Sequence, residues 1–188
     1  MRSARERIIE TTCELLELQG YHATGLNQII KESGSPKGSL YHYFPGGKEE
    51  LVADALSRDG QIILNRIRDS LALVEDPAEA VRQFVLNIAQ HVQASGYRSG
   101  GPITAVAMET AATNERLRAE CKHIYEAWQG AFVEKLVSGG ISEDRASRLA
   151  SLILAALEGG IILSRTNRSP QPLEDIAGEL GLMISSAR

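Results

Sequence analysis

Along almost all of its 188 residues this chain repeats its apolar side chains at three- and four-residue spacing, and strict alternation is nearly absent. That pattern confines it to helices packed on helices. Sheets need alternating or continuously apolar short runs, and none is bounded here by strand-type turns. The chain is long enough to bury a substantial core as one domain or two.

The helices can be read from their punctuation. A first helix is expected over 3–19, with Ile9, Cys13 and Leu16 on one face and Gly20 as its stop. Thr24 is placed to cap a short second helix whose Leu26, Ile29 and Ile30 turn inward, and Gly34 ends it. Ser35-Pro36 reads as a cap plus a proline in the first turn, opening a helix of barely two turns over 36–43. Pro45-Gly46-Gly47 stops that helix. A long one then starts near Lys48 and reaches Val74, with Leu51, Val52, Ala55, Leu56, Ile62, Ile63 and Ile67 inward. Asp76-Pro77 opens the next, with Val81, Phe84, Val85, Ile88 and Val92 inside, and 95–101 is the clearest loop of the second half. Further helices are expected over 102–112, 114–138, 143–165 and 172–186. Punctuation changes near residue 50, so 1–48 is read as one domain and 49–188 as a second, with the long helix as the link.

Three short helices, the second and third joined by a tight glycine-containing turn, make a helix-turn-helix. Such a motif sets the first turns of its last helix against base edges in the major groove, so two turns suffice. Lys37 and Ser39 flank Gly38, which lets the backbone approach closely. Lysine can donate to guanine acceptors and serine can pair with several bases. Leu40 and Phe44, spaced i, i+4, anchor the helix to the other two. Tyr41 and His42 suit phosphate oxygens, as do the Thr24 hydroxyl and Gln28 on the outer face of the second helix. Lys48 and the free N–H groups of the long helix would hold another phosphate. Bulk charge does not help, because the first sixty residues carry seven Lys or Arg against nine Asp or Glu. Any affinity for DNA must come from a local patch.

The stretch TGLNQIIKESGSPKGSLYHYFPGGKEELVADAL resembles the DNA-binding segment of the TetR family of one-component bacterial regulators. The likeness covers about residues 5–56. It rests on the order short helix, SG-S-KGSLYHYF, then Lys-Glu-Glu-Leu leading into the long helix. Three residues, Pro45 to Gly47, separate Phe44 from Lys48, one more than the family's usual spacing. That form is similar to a flavonoid- and drug-responsive subgroup. The resemblance implies an all-α homodimer that binds a palindromic operator and releases it when a small molecule enters the C-terminal domain.

In the second half, residues 149–164 are apolar nearly all round, which requires cover on two sides. One side is the chain's own core, and a partner subunit is the simplest cover for the other. Leu173, Ile176, Ala177, Leu180 and Ile184 of the last helix are expected to complete that four-helix interface. Phe84, Ile88, His91, Met108, Tyr125, Trp128 and Phe132 could gather as an effector pocket or simply pack as core. Unpaired charge is costly to bury there, so the expected effector is small, mostly neutral and aromatic.

Other chemistries find little support. Glu120-Cys121-Lys122-His123 is a single Glu-x-x-His, and bundle di-iron sites need two such motifs plus further carboxylates. No catalytic triad, phosphate loop or paired-cysteine metal site is visible, so no cofactor, metal or catalytic residue is assigned. Cys13 and Cys121 read as reduced, buried thiols of a cytoplasmic protein. No apolar run reads as a membrane span, because the longest contains Glu158. An all-α small-molecule-binding enzyme is the alternative class.

Overall fold

The computed structural model describes residues 3–187. Nine helices and no strand occur among the described residues: α1 (Ala4–Ala23), α2 (Leu26–Glu32), α3 (Lys37–Tyr43), α4 (Gly47–Ala72), α5 (Pro77–Ala94), α6 (Pro102–Thr110), α7 (Glu115–Ser138), α8 (Glu143–Asn167) and α9 (Gln171–Ser185). Their order and bounds follow the punctuation of the sequence closely. Ser3 caps α1 in a capping box with Glu6. Asp76 caps α5 by accepting from the Glu79 N–H.

Two local expectations are corrected. Thr24 does not cap α2. Gly25 occupies that position without a side-chain hydrogen bond, and the buried Thr24 hydroxyl donates to the Gly20 carbonyl at 2.7 Å. Ser35 does not cap α3 either. Pro36 does, and the Ser35 hydroxyl faces Ser33 and Arg7. In both cases a nearer backbone or side-chain partner takes the hydroxyl.

The chain forms two compact units. The first holds the residues up to Ile62 together with Gly101–Ile124, and the second holds Ile63–Gly100 together with the residues from Tyr125 onward. The chain therefore passes between units three times, within α4, at the loop before α6 and within α7. The long helix is not the only link.

In the first unit α1 packs against α2, α3 and α6. Its core joins Ile8, Ile9 and Leu15 of α1, Ile29 of α2, Leu40 of α3, Phe44, and Leu51 and Ala55 of α4. Gly20 interrupts α1 at φ 77°, ψ −177°, a conformation that is essentially glycine-only. A Cβ there would fall on the Glu109 carboxylate of α6. That carboxylate accepts the His22 N–H at 2.8 Å, and Glu17 accepts the Gly101 N–H at 3.1 Å. Both ends of α6 are thus tied to α1.

In the second unit α5 packs against α9 and α8, and α8 packs on α9. Gly160 of α8 lies so close to Leu173 and Ile176 that a Cβ would collide with both. Leu173, Ala177, Leu180 and Ile184 are buried in the chain's own core, which corrects their expected place on a subunit interface. The apolar residues left open on these helices are instead Leu152, Ile162, Leu163 and Leu182. Ile62 of α4 is also exposed, where an inward position was expected. By length and composition α8 could cross a membrane, with a mean hydropathy of 1.6 and a third of the window buried. Glu158 within its apolar stretch does not offset the many Leu, Ile and Ala residues around it.

Candidate nucleic-acid interface and effector region

The turn before α3 is built by Gly34, at φ 60°, and by Arg7 of α1. Arg7 donates to the Ser33 carbonyl at 3.3 Å and to the Ser35 hydroxyl at 3.4 Å. Leu40 and Phe44 are fully buried and fix the orientation of α3. Arg5 lies over the Phe44 ring at 5.5 Å. The opposite face carries Lys37, Gly38, Tyr41 and His42, all exposed, with Ser39 half-buried beside them. Tyr43 is also exposed and meets the His42 ring edge-on at 5.1 Å. A Cβ added at Gly38 would meet nothing within 4 Å. The chain's own packing therefore does not demand a glycine there.

Gln28 is half-buried within a polar chain. It accepts from Gln19 at 2.9 Å and donates to Glu32 at 2.9 Å. Nothing in the sequence flags Gln19, because the pairing depends on how α1 and α2 cross. Thr24 is fully buried and stands behind this surface rather than on it. Its expected contact with a phosphate is corrected on that ground.

Lys48 is half-buried and engaged within the chain. Its ammonium donates to the Tyr21 carbonyl at 2.6 Å and lies 4.1 Å from the centroid of the Tyr21 ring. Partial burial of that ammonium holds the lysine below its ordinary pKa, with nearby Glu109 acting in the opposite direction. The first turn of α4 is closed by its own carboxylate, since Glu50 accepts the Gly46 N–H at 2.6 Å. The extra glycine, Gly47, adopts φ 72°.

The seven residues expected to gather around an effector differ in burial, and they are divided between the two compact units. Phe84, Trp128 and Phe132 are buried core, and the two phenylalanine rings pack edge-on at 5.6 Å. Ile88 is half-buried. His91 is exposed, with its Nε2 3.3 Å from the Ser99 hydroxyl. Met108 is 79% exposed and belongs to the first unit. The turn of α6 that faces α1 with Ile103, Val106 and Thr110 leaves Met108 on the outside. Half-buried Tyr125 stands edge-on to Trp128 at 5.5 Å. With Gln129, Ser151, Leu154, Ala155 and Glu158 it lines an open groove of about 260 Å³ between α7 and α8. Gln129 reaches across this groove to the Ser151 hydroxyl at 2.7 Å. Among the described residues no three His, Cys, Asp or Glu side chains come together as a metal site.

Residues 8–55 match the family described as bacterial regulatory proteins, tetR family, and residues 77–179 match the transcriptional regulator LmrA/YxaF-like C-terminal domain. The chain is 43% identical over 181 residues to the HTH-type transcriptional regulator YxaF of Bacillus subtilis (strain 168), covering 96% of this chain and 95% of that protein. It is 41% identical over 174 residues to the HTH-type transcriptional regulator LmrA of the same organism, covering 93% of each. The crystal structure of regulatory protein TetR from Rhodobacter sphaeroides superposes with a TM-score of 0.83 at 25% identity, over 95% of this chain and 97% of that one. These relatives are regulators and not enzymes, which removes the alternative of an all-α enzyme. With its helix-turn-helix and its C-terminal helices both matched, the chain belongs to the TetR family of bacterial transcriptional regulators.

Proposed function

We propose that the protein is a cytoplasmic, homodimeric repressor that binds an inverted-repeat operator and leaves it when a small aromatic molecule binds the second unit. Members of the family bind operator DNA, act as dimers and take small-molecule effectors. The observation that carries the operator reading is the exposed Lys37-Gly38-Ser39 face of α3. Gly38 lies in the first turn of α3, and no packing within the chain calls for a glycine there. Close approach to an external backbone does. Lys37 and Ser39 then meet base edges, while Tyr41 and His42 meet phosphates. The two-fold symmetry of an inverted repeat calls for a two-fold protein. The uncovered residues Leu152, Ile162, Leu163 and Leu182 supply an apolar face for it.

The effector reading is supported by the groove beside Tyr125. Tyr125 offers a ring for stacking, and Glu158 and Gln129 offer partners for a phenol or carbonyl. A flavonoid-like, planar molecule fits that chemistry, in keeping with the similarity of the Pro45–Gly47 stretch to the flavonoid- and drug-responsive form. An effector acts only through its different affinity for the DNA-competent and the released states. The deciding experiment is selection of genomic fragments by the purified protein at moderate salt. A shared palindrome among the recovered fragments is the expected result, and recovery of none would refute the operator reading.

A further inference from the structure

The helix-turn-helix holds little uncommitted positive charge. Arg5 pairs with Asp54 at 2.6 Å and Arg58 with Glu10 at 3.0 Å. Arg7 is tied to the turn before α3, and Lys48 to Tyr21. Among the described residues of α1 to α3 and the first half of α4, Lys31 and Lys37 alone have neither a hydrogen bond nor an ion pair to the side-chain nitrogen. Two lysines per protomer are few, because binding to DNA draws its sequence-independent affinity from the phosphates a protein neutralises.

The same unit contains the start of α7. Arg118 forks onto Glu115 at 2.7 and 2.5 Å, and Lys122 is engaged as well. Arg116 is different. It is exposed, and among the described residues it makes no ion pair. Its guanidinium reaches the turn that follows the recognition helix, where a Cβ built on Gly46 would lie 3.6 Å from its Nη1. Lys48, the cation the sequence puts at this turn, has its ammonium on Tyr21 instead.

We propose that Arg116 is a DNA-phosphate contact supplied to the exit of the recognition helix by α7, from outside the helix-turn-helix. The inference rests on the DNA-binding reading above. Phosphates line the groove on either side of an inserted helix, and the Pro45–Gly47 turn leads directly away from that helix. The Glu50 carboxylate that closes the turn would repel a phosphate, and the Arg116 charge beside it offsets that repulsion. A guanidinium can meanwhile present two parallel N–H groups to phosphate oxygens.

The test is the salt dependence of binding to a mixed-sequence DNA duplex, for which phosphate contacts alone matter. Each lost contact lowers the slope of log affinity against log salt by about 0.9. With one Arg116 in each protomer of a dimer, R116Q should flatten the slope by about 1.8. Between about 50 and 200 mM salt the wild-type protein should then lose roughly 12-fold more affinity than the variant. R116K should keep the wild-type slope, and R118Q, which removes the same charge from a paired arginine, should leave it unchanged. An unchanged slope for R116Q, with or without a fall in melting temperature, would reduce Arg116 to a screen for Glu50 and overturn the proposal. So would equal flattening by R118Q, which would mean a diffuse field rather than a contact. Absence of salt-dependent binding by the wild-type protein would instead overturn the DNA-binding reading itself.

Discussion

Replacing Gly20 with alanine should destabilise the first unit by two separable routes. The backbone there sits at φ 77°, ψ −177°, and the buried Thr24 hydroxyl holds it by donating to the Gly20 carbonyl. A non-glycine residue in this region costs about 1–3 kcal/mol. The new methyl would also displace the Glu109 carboxylate. That end of the side chain can swing away, but only by giving up the 2.8 Å hydrogen bond from the His22 N–H. Bonds to charged groups contribute about 1.5–3 kcal/mol, and the exposed position of this one favours the lower value. The expected total for Gly20→Ala is therefore about 2.5–4.5 kcal/mol. Urea unfolding of Gly20→Ala, Glu109→Ala and the double variant would separate the two routes. If the carboxylate is displaced in Gly20→Ala, adding Glu109→Ala has little left to remove. The double variant should then be about as unstable as Gly20→Ala alone, with a coupling of about 1.5 kcal/mol. Strict additivity of the two single effects, or a cost for Gly20→Ala below about 1 kcal/mol, would refute the account.

Lys37→Ala should weaken operator binding by about 1–3 kcal/mol and relax sequence preference at the base it reads. Lys48→Ala, by contrast, should lower melting temperature through loss of the Tyr21 contacts and leave the salt slope of DNA binding nearly unchanged. A slope reduced by about 0.9 per protomer would restore Lys48 to the phosphate backbone. Burial pushes the Cys13 thiol up to about 12, helped by the charge of Asp59, and the Cys121 thiol up to about 11. Both should stay protonated and unreactive to alkylating reagents at pH 8 until the chain unfolds. Because the unfolded thiols ionise first, stability should fall as pH rises above about 9, and the Cys13→Ala/Cys121→Ala variant should flatten that alkaline limb in urea melts. Planar phenolics should change Trp128 fluorescence and release operator over one concentration range, whereas release by aliphatic or cationic compounds alone would refute the aromatic class.

What could be read in advance was what neighbouring residues decide among themselves. Gly34, Pro36 and Pro45–Gly47 delimit α3 by backbone rules that act over a few residues, and Leu40 and Phe44 follow from helical spacing. The positions that departed depend on breaks and contacts that spacing does not reveal, some of them across long stretches of chain. Thr24 is drawn to a carbonyl exposed by the break at Gly20, and Lys48 to the end of α1. Met108 stands on an apolar-looking helix whose buried face is chosen by α1, which periodicity within α6 cannot reveal. The same limit applied to α9. Its apolar stripe was evident, but whether the chain itself or a second subunit covers it depends on where α5 and α8 lie. Arg116 carries no motif at all. Its interest arises because α7 begins beside a turn that is 70 positions earlier in the chain.

The grouping of Gly101–Ile124 with the N-terminal helices bears on how such regulators can be recombined. A chimaera built by exchanging only the first 48 residues would strand Glu109, Glu17's partner Gly101 and Arg116 in the recipient, facing an α1 and a turn after α3 they were never matched to. The transplantable DNA reader is a discontinuous module, two segments that must travel together. Grafts that carry 3–62 along with 101–124 should keep their grip on DNA where the shorter graft loses it, and a comparison of the two would show how far operator choice can be moved between family members.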